Sequence, residues 1–441
     1  MFSVTKVKSS GECGQIRKSF RPNTSSIAPG NPFKQEIVYL MTGLNRFSVG
    51  MALKLYEVGS DPARVRAFLE LPVRLYRNDP NWIRPLDQDV ESVFDPKKNK
   101  AFRTGEAIRW VLEDASGQVI GRVAAFFNRE QQEEQPTGGM GFFECIEDET
   151  AAFTLFDACR NWLANKGFEA MDGPINFGER DSWWGLMIKG WDHEPTYKMP
   201  WSKPYYIPFF ENYGFRDYFQ QYVYTSPIRE VVVAPSVEEK AQRIYTNPEF
   251  TFRSIDKKQL PKFAEDFRDI YNQAWAKFPG VHAMTREQTL ALVGTMKPII
   301  DEQLIWFAYA GERPVAFFIV IPDLNQVVKH LNGKFGLLAK LKFLYLLKFK
   351  KVVTRTCGVI FGVIPDYQGR GVESAIALRF RQAGRDNPDY QYHTIDMNWV
   401  GDFNPKMMRF VSQLGTKIEK SYVTYRFLFD REKEFKRCPR V

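Results

Sequence analysis

The chain reads as an α/β protein, with mixed α+β sheets arranged in two tandem halves. Its 441 residues exceed what one ordinary core absorbs. The same order of apolar segments occurs twice, and corresponding landmarks lie about 200 residues apart, which marks a whole-domain duplication rather than a short solenoid repeat. "IRWVLEDASGQVIGRVAAFFN", around Trp110, alternates apolar positions on either side of a Ser-Gly turn and predicts a hairpin. "LIWFAYAGERPVAFFIVIP", around Trp306, repeats that form. Each hairpin is followed by a short buried strand and an acidic turn, "MGFFECIED" and "TCGVIFGVIPD", and then by a helix. The helices are "ETAAFTLFDACRNWLANKG" and "VESAIALRFRQAGRDN"; in the second, Val372, Ile376, Phe380 and Ala383 share one face. Strands "FEAMDGPINF" and "YQYHTIDMNWV", short helices "PYYIPFFENYG" and "PKMMRFVSQLG", and aromatic strands "FQQYVYT" and "SYVTYRFLF" complete two β-β-β-α-β-α-β units. The expected halves span 51–226 and 259–432, with a connection at 227–258.

Composition narrows the class. Hydrophobic content of 44% and charged content of 26% are those of a soluble globular chain. No apolar run approaches the ~20 residues that span a bilayer, and no apolar segment with a cleavage site opens the sequence. Cys13, Cys145, Cys159, Cys357 and Cys438 are scattered, so reduced thiols in a cytoplasm are expected. Four histidines without paired spacing give no metal site. The net charge of +9 points to an anionic partner. Part of it lies in residues 1–50, expected to be a disordered basic arm or a start assigned too early, with Met51 as the alternative.

The segment from 363 to 372 places Gln368, Gly369, Arg370 and Gly371 between a strand and a helix. Unpaired N–H groups and the dipole at a helix start attract anions, and glycines let a phosphate approach them. Gln368 and Arg370 add donors, so the loop suits a pyrophosphate; the plain alternative is an exposed turn. The first half lacks this loop. After "GFFECIED" it offers Asp148 and Glu149, which cap a helix and repel phosphate.

The strand, the Gln-x-x-Gly turn, the amphipathic helix and the following strand resemble the acyl-CoA-binding core of the GNAT superfamily of N-acyltransferases, here as tandem GNAT-like domains. The resemblance implies that Val363, Gln368, Gly369, Arg370, Gly371 and Val372 hold acyl-CoA. Glu373 departs from it, since the family carries Gly or Ala there. "LPVRLYRNDPNWIRPL", "GFFECIED", "GPINFG" and "KPYYIPFFENYGF" are similar to a two-domain bacterial branch that includes the bacterial ceramide synthases. That likeness covers roughly Met51 to Asp430 and implies a lipid amine, such as a sphingoid base, as acceptor.

Residues 173–215 combine aromatics with Gly, Pro and carboxylates. One reading is interdomain packing; the other is the wall of an acceptor pocket, with Asn176, Trp183, Trp184 and Tyr205 touching substrate. N-acyl transfer needs a base for an ammonium and an acid for a thiolate. Many GNAT relatives take the acid from a tyrosine in the helix that here reads "NPKMMRFVSQLG", which has none. Tyr206 or Tyr205 is then the candidate acid, and Glu179, Asp181 or His193 the candidate base. Asp396 and Asn398 share one strand face, with His393 on the other; Asp396 is either a further carboxylate for the chemistry or the partner of an internal hydrogen bond, and His282, His330 and His393 have no partner pattern.

An insertion at 324–355 carries no acidic residue, while Lys329, Lys334, Lys340, Lys342, Lys348, Lys350, Lys351 and Arg355 interleave with Leu, Phe and Tyr. This suits an anionic membrane surface and a peripheral location, or a helix packed on the domain with a solvated basic face. No nucleic-acid motif is present. Two other functions stay open: a small-molecule or peptide acetyl- or aminoacyltransferase, and a non-catalytic membrane-associated binding protein.

Overall fold

The computed structural model describes residues 53–130, 134–275 and 283–440; the expected arm at 1–50 and His282 lie outside them. The strands are β1 (Lys54–Glu57), β2 (Gly105–Glu113), β3 (Val119–Asn128), β4 (Thr137–Cys145), β5 (Ala170–Gly173), β6 (Leu186–Lys189), β7 (Arg216–Pro227), β8 (Phe250–Ser254), β9 (Ile305–Ala310), β10 (Arg313–Pro322), β11 (Arg355–Val363), β12 (Thr394–Gly401) and β13 (Lys417–Leu428). They form one sheet in the order β1-β2-β3-β4-β5-β13-β7-β12-β11-β10-β9-β8, with β6 also beside β13. Only β4/β5 and β11/β12 are parallel.

The order has internal symmetry. Each half runs inward through five strands, β1 to β5 and β8 to β12, and the strand next to the fifth comes from the other half. β13 lies against β5, β7 lies against β12, and the two exchanged strands pair antiparallel at the centre. The sheet is therefore continuous across the duplication.

Helix Glu149–Asn165 covers the first half, burying Ala152, Leu155, Phe156, Cys159 and Leu163. Helix Val372–Asp386 covers the second with Val372, Ile376 and Phe380, the periodic residues of the sequence. A third apolar cluster is shared: Ile175, Trp184, Trp201 and Phe219 pack with Trp399, Phe403 and Tyr422. The segment expected as a plain connection, 227–258, instead holds helix Pro235–Tyr245 and strand β8. Pro at the helix start fixes its φ there, and Val237, Ala241 and Ile244 give it a buried face. No helix among the described residues is long and apolar enough to cross a membrane.

Candidate active site

β11 runs into a short turn, Pro365–Tyr367, and then into Gln368 to Gly371 before helix Val372–Asp386 begins. Gly369 has φ 72° and Gly371 φ 104°, left-handed values that disfavour a side chain. Gly371 is also the N-cap, and no side chain caps the helix. Its first N–H groups are thus left to a ligand or water. Gln368 turns back, its Nε2 donating to the carbonyl of Val363 at 2.9 Å, so it braces the loop instead of reaching outward. Arg243 Nη2 donates to the carbonyl of Arg370 at 3.0 Å, which ties helix Pro235–Tyr245 to the loop. A Cβ on Gly371 would stand 3.1 Å from the Lys240 carbonyl oxygen. Glu373, the residue that departs from the GNAT pattern, has Oε2 enclosed by protein without a hydrogen-bond partner among the described residues. An uncapped helix start with side-chain-free glycines and exposed Arg370 fits a pyrophosphate.

β11 and β12 pair from Arg355–Thr394 to Gly358–Met397 and no further. Beyond that point β11 runs on to Val363 and β12 to Gly401 without pairing to each other. The corresponding strands β4 and β5 pair over Thr137–Gly139, and past that pairing the chain itself bridges the two strands. Ile175 N donates to the Met140 carbonyl at 2.8 Å, and a Cβ on Gly141 would collide with the Ile175 carbonyl. Behind it sit Tyr76, Arg122, Glu144 and Tyr206, all buried. Glu144 Oε2 accepts from Tyr76 at 2.7 Å and from Tyr206 at 2.9 Å. Burial pushes the Glu144 carboxyl up, with Arg122 pulling against it. The helix start is occupied too, since Asp148 Oδ1 accepts the N–H of Ala151 at 2.9 Å. Asp148→Ala is expected to cost about 1 kcal/mol, seen as a lower urea midpoint with no change in affinity for acyl-CoA.

Where the halves meet, β12, β7, β13 and β11 bring together a polar cluster under residues 194–197. Asp396 is fully buried; its Oδ1 accepts from Thr225 at 2.8 Å, while Oδ2 has no hydrogen-bond partner among the described residues. Lys420 Nζ lies 3.8 Å and Arg355 Nε 3.9 Å from that oxygen. Burial raises the Asp396 carboxyl above the usual range, and Lys420 and Arg355 only partly offset it. Arg355 donates to buried Asp323 at 2.7 Å and to the carbonyl of Glu194 at 3.1 Å. Burial works against its charge; Asp323 and Asp396 outweigh that and raise its pKa. Lys420 also reaches Glu419 at 2.6 Å, and Glu419 lies 3.6 Å from His193 Nδ1, whose ring is partly exposed. Asn398 Nδ2 donates to Thr196 at 2.5 Å, but its Oδ1 and the Tyr422 hydroxyl are enclosed and unpartnered among the described residues.

The sequence candidates divide. His193 lies at the outer end of this cluster. Glu179 keeps 72% of its side chain exposed, 4.0 Å from Lys198, and Asp181 is exposed; neither approaches the buried carboxylate. Tyr206 is 1% exposed, accepts from Cys145 N at 3.0 Å, and packs in the first-half core. Burial raises its pKa well above that of a free phenol. Tyr205, half-buried, donates to the Cys145 carbonyl at 2.9 Å. Trp184 is buried in the shared aromatic cluster, with Trp183 against Phe142 at its margin. Asn176 donates to the Glu179 carbonyl at 3.1 Å. Trp183 and Trp184 thus lie in the aromatic cluster shared by the halves, and Tyr205 and Tyr206 in the first-half core. Lys420, Arg355, Asp323, Thr225 and Tyr422 were missed; Lys420 sits between Glu419 and Ser421 at the polar start of β13, which gives no local signal of its burial. Among the described residues no group of His, Cys, Asp and Glu is arranged to hold a metal.

No family model matches the chain. It is 27% identical over 368 residues to protein YghO of Escherichia coli strain K12, covering 82% of this chain and 92% of that one. It is likewise 27% identical over 370 residues to the bacterial ceramide synthase of Caulobacter vibrioides, covering 82% and 94%. Among solved structures, a tandem GNAT protein from the clavulanic acid biosynthesis pathway superposes with a TM-score of 0.50 at 10% identity, over 86% of this chain and 100% of that one. A GCN5-related glucosamine N-acetyltransferase region of a fungal multi-domain β-N-acetylglucosaminidase gives the same TM-score at 12% identity, over 86% and 38%. The fold is that of these neighbours, and the chain is a tandem GNAT-fold protein similar in sequence to a bacterial ceramide synthase.

Proposed function

We propose that the chain transfers an acyl group from acyl-CoA to an amine, and that the amine is a lipid amine such as a sphingoid base. The GNAT fold and the ceramide synthase relative support an acyltransferase. The observation that carries the reading is the asymmetry of the halves: the second keeps an uncapped glycine loop at its helix start, and in the first the corresponding helix start is capped by Asp148. The N–H groups following Gly371 would hold the pyrophosphate, assisted by Arg370. The amine nitrogen attacks the thioester carbonyl, the C–S bond breaks, and the thiolate leaves. The ammonium must first lose a proton. Asp396 Oδ2 is the acceptor, and Thr225, Glu419 and His193 lead from it toward solvent. Tyr422, kept protonated by burial and by Asp396, is the proton donor to the departing sulfur, and it regains a proton from the second N–H that the attacking nitrogen sheds as the amide forms.

Incubation of the purified protein with long-chain acyl-CoA and sphinganine is expected to release free thiol and form the amide. No turnover across chain lengths and amines would overturn the reading. Gly371→Val is expected to weaken acyl-CoA binding by about tenfold or more, because its φ is left-handed and a side chain would meet Lys240. A non-catalytic scaffold would be indifferent to that change.

A further inference from the structure

We infer that the insertion between β10 and β11 is a docking surface for an anionic phospholipid bilayer, with helix Leu337–Leu344 and the turn Tyr345–Phe349 as the inserting element. Among the described residues nine large apolar side chains stand exposed, and six of them are here: Leu337, Leu338, Leu341, Leu344, Tyr345 and Phe349. The first five follow the spacing i, i+1, i+4, i+7, i+8, one stripe of a helix. Leu338 and Phe349 keep 81% and 79% of their surface in solvent.

The opposite face is already used. Phe343 and Leu347 are buried, Phe343 meets Phe335 edge-on, and Lys342 Nζ donates to the His330 carbonyl at 2.7 Å. The helix is thus held in place with its exposed stripe turned outward, so the exposure is not a failure to pack. Lys334, Lys340, Lys348, Lys350 and Lys351 are exposed around the stripe, and no acidic residue occurs from Leu324 to Phe361. Apolar side chains entering the acyl region beneath a ring of lysines is the arrangement an anionic lipid surface rewards.

A second copy is the poorer occupant. A two-fold contact sets the same patch against itself, and the insertion carries no carboxylate of its own to neutralise the facing lysines. The base of the insertion is fixed where the polar cluster lies: Asp323 and Arg355, at its two ends, are joined at 2.7 Å, and Arg355 also holds the Glu194 carbonyl. A bilayer bound by the helix is therefore held by the same residues that order the cluster. This inference stands on the insertion alone and is independent of the acyl-transfer reading.

The test is sedimentation of the full chain with vesicles, either pure phosphatidylcholine or phosphatidylcholine mixed with phosphatidylglycerol, in the absence of any acyl-CoA. The chain is expected to sediment with the anionic vesicles only. Combined Leu337→Ser, Leu338→Ser, Leu341→Ser and Phe349→Ser should lower the partition coefficient by about tenfold or more while the melting temperature holds. Combined Lys340→Glu, Lys348→Glu and Lys350→Glu should remove the preference for anionic lipid. Equal binding by wild type and variants would overturn the inference, as would no binding to anionic vesicles. So would a lipid-free oligomer that the serine variant abolishes, since a second copy would then cover the stripe.

Discussion

Asp396→Asn is expected to lower kcat by about two to four orders of magnitude and to leave the KM for acyl-CoA nearly unchanged. The substitution keeps size and removes the charge that accepts the proton, and the residue lies on β12 rather than on the phosphate loop. Asp396→Ala is the less informative variant. It leaves buried Lys420 with Glu419 alone, and breaking a buried pair costs about 3–5 kcal/mol, so lost folding would mask lost chemistry. Single-turnover thiol release and a thermal melt on the same preparation separate the two. An asparagine variant with kcat within about threefold of wild type would remove Asp396 from the proton path.

The pH dependence has a definite sign. Burial raises the Asp396 carboxyl against the pull of Lys420 and Arg355. Between the unfolded carboxylate range and this raised value the folded protein binds more protons than the unfolded chain. The stability this group contributes is fully present below the unfolded pKa and is lost as pH rises through the folded one. Activity runs the other way, because only the ionised carboxylate accepts a proton. The acid limb of kcat should therefore rise with pH later than for an ordinary aspartate. Lys420→Met, by removing a cation 3.8 Å away, should move that limb to higher pH still.

What was readable in the sequence was local or periodic. The loop at 368–371 could be read because glycine spacing after a strand has a direct backbone meaning, and the helix after it because Val372, Ile376 and Phe380 recur on one face. Strand alternation also put Asp396 and Asn398 together. Lys420 was hidden for a tertiary reason: the register of β13 shifts between Ile418 and Lys420, and the cover over that point comes from β7 and β12. The burial of Tyr206 was not legible, because an aromatic helix does not declare which ring faces inward. Glu144, buried in a strand 62 residues before it in the chain, supplies the partner that decides. The exchange of β7 and β13 leaves no local trace, since each strand keeps the same apolar pattern whichever fifth strand it meets.

That exchange predicts that neither half folds alone. A fragment ending at Glu230 lacks β13, and with it the buried side chains of Tyr422, Val423, Tyr425, Phe427 and Leu428. At roughly 1.5–3 kcal/mol each, their loss is on the order of 10 kcal/mol, comparable with the whole stability of an ordinary domain, about 5–15 kcal/mol. It also leaves β5 and β7 with unpaired edges. A fragment beginning at Val231 suffers the reciprocal loss, because β12 gives up β7, whose Val223 and Tyr224 are buried. Each fragment expressed separately should be insoluble or show no cooperative denaturant transition. Co-expressed, the two should copurify as a complex that unfolds in one step, with the nick between Glu230 and Val231 in the link before helix Pro235–Tyr245. A single fragment with a cooperative transition, and an m-value fitting its own length, would show that each half can close its sheet with its own last strand. A second half closed in that way would lack Thr225, which reaches Asp396 only on β7 of the first half, and the cluster would be incomplete.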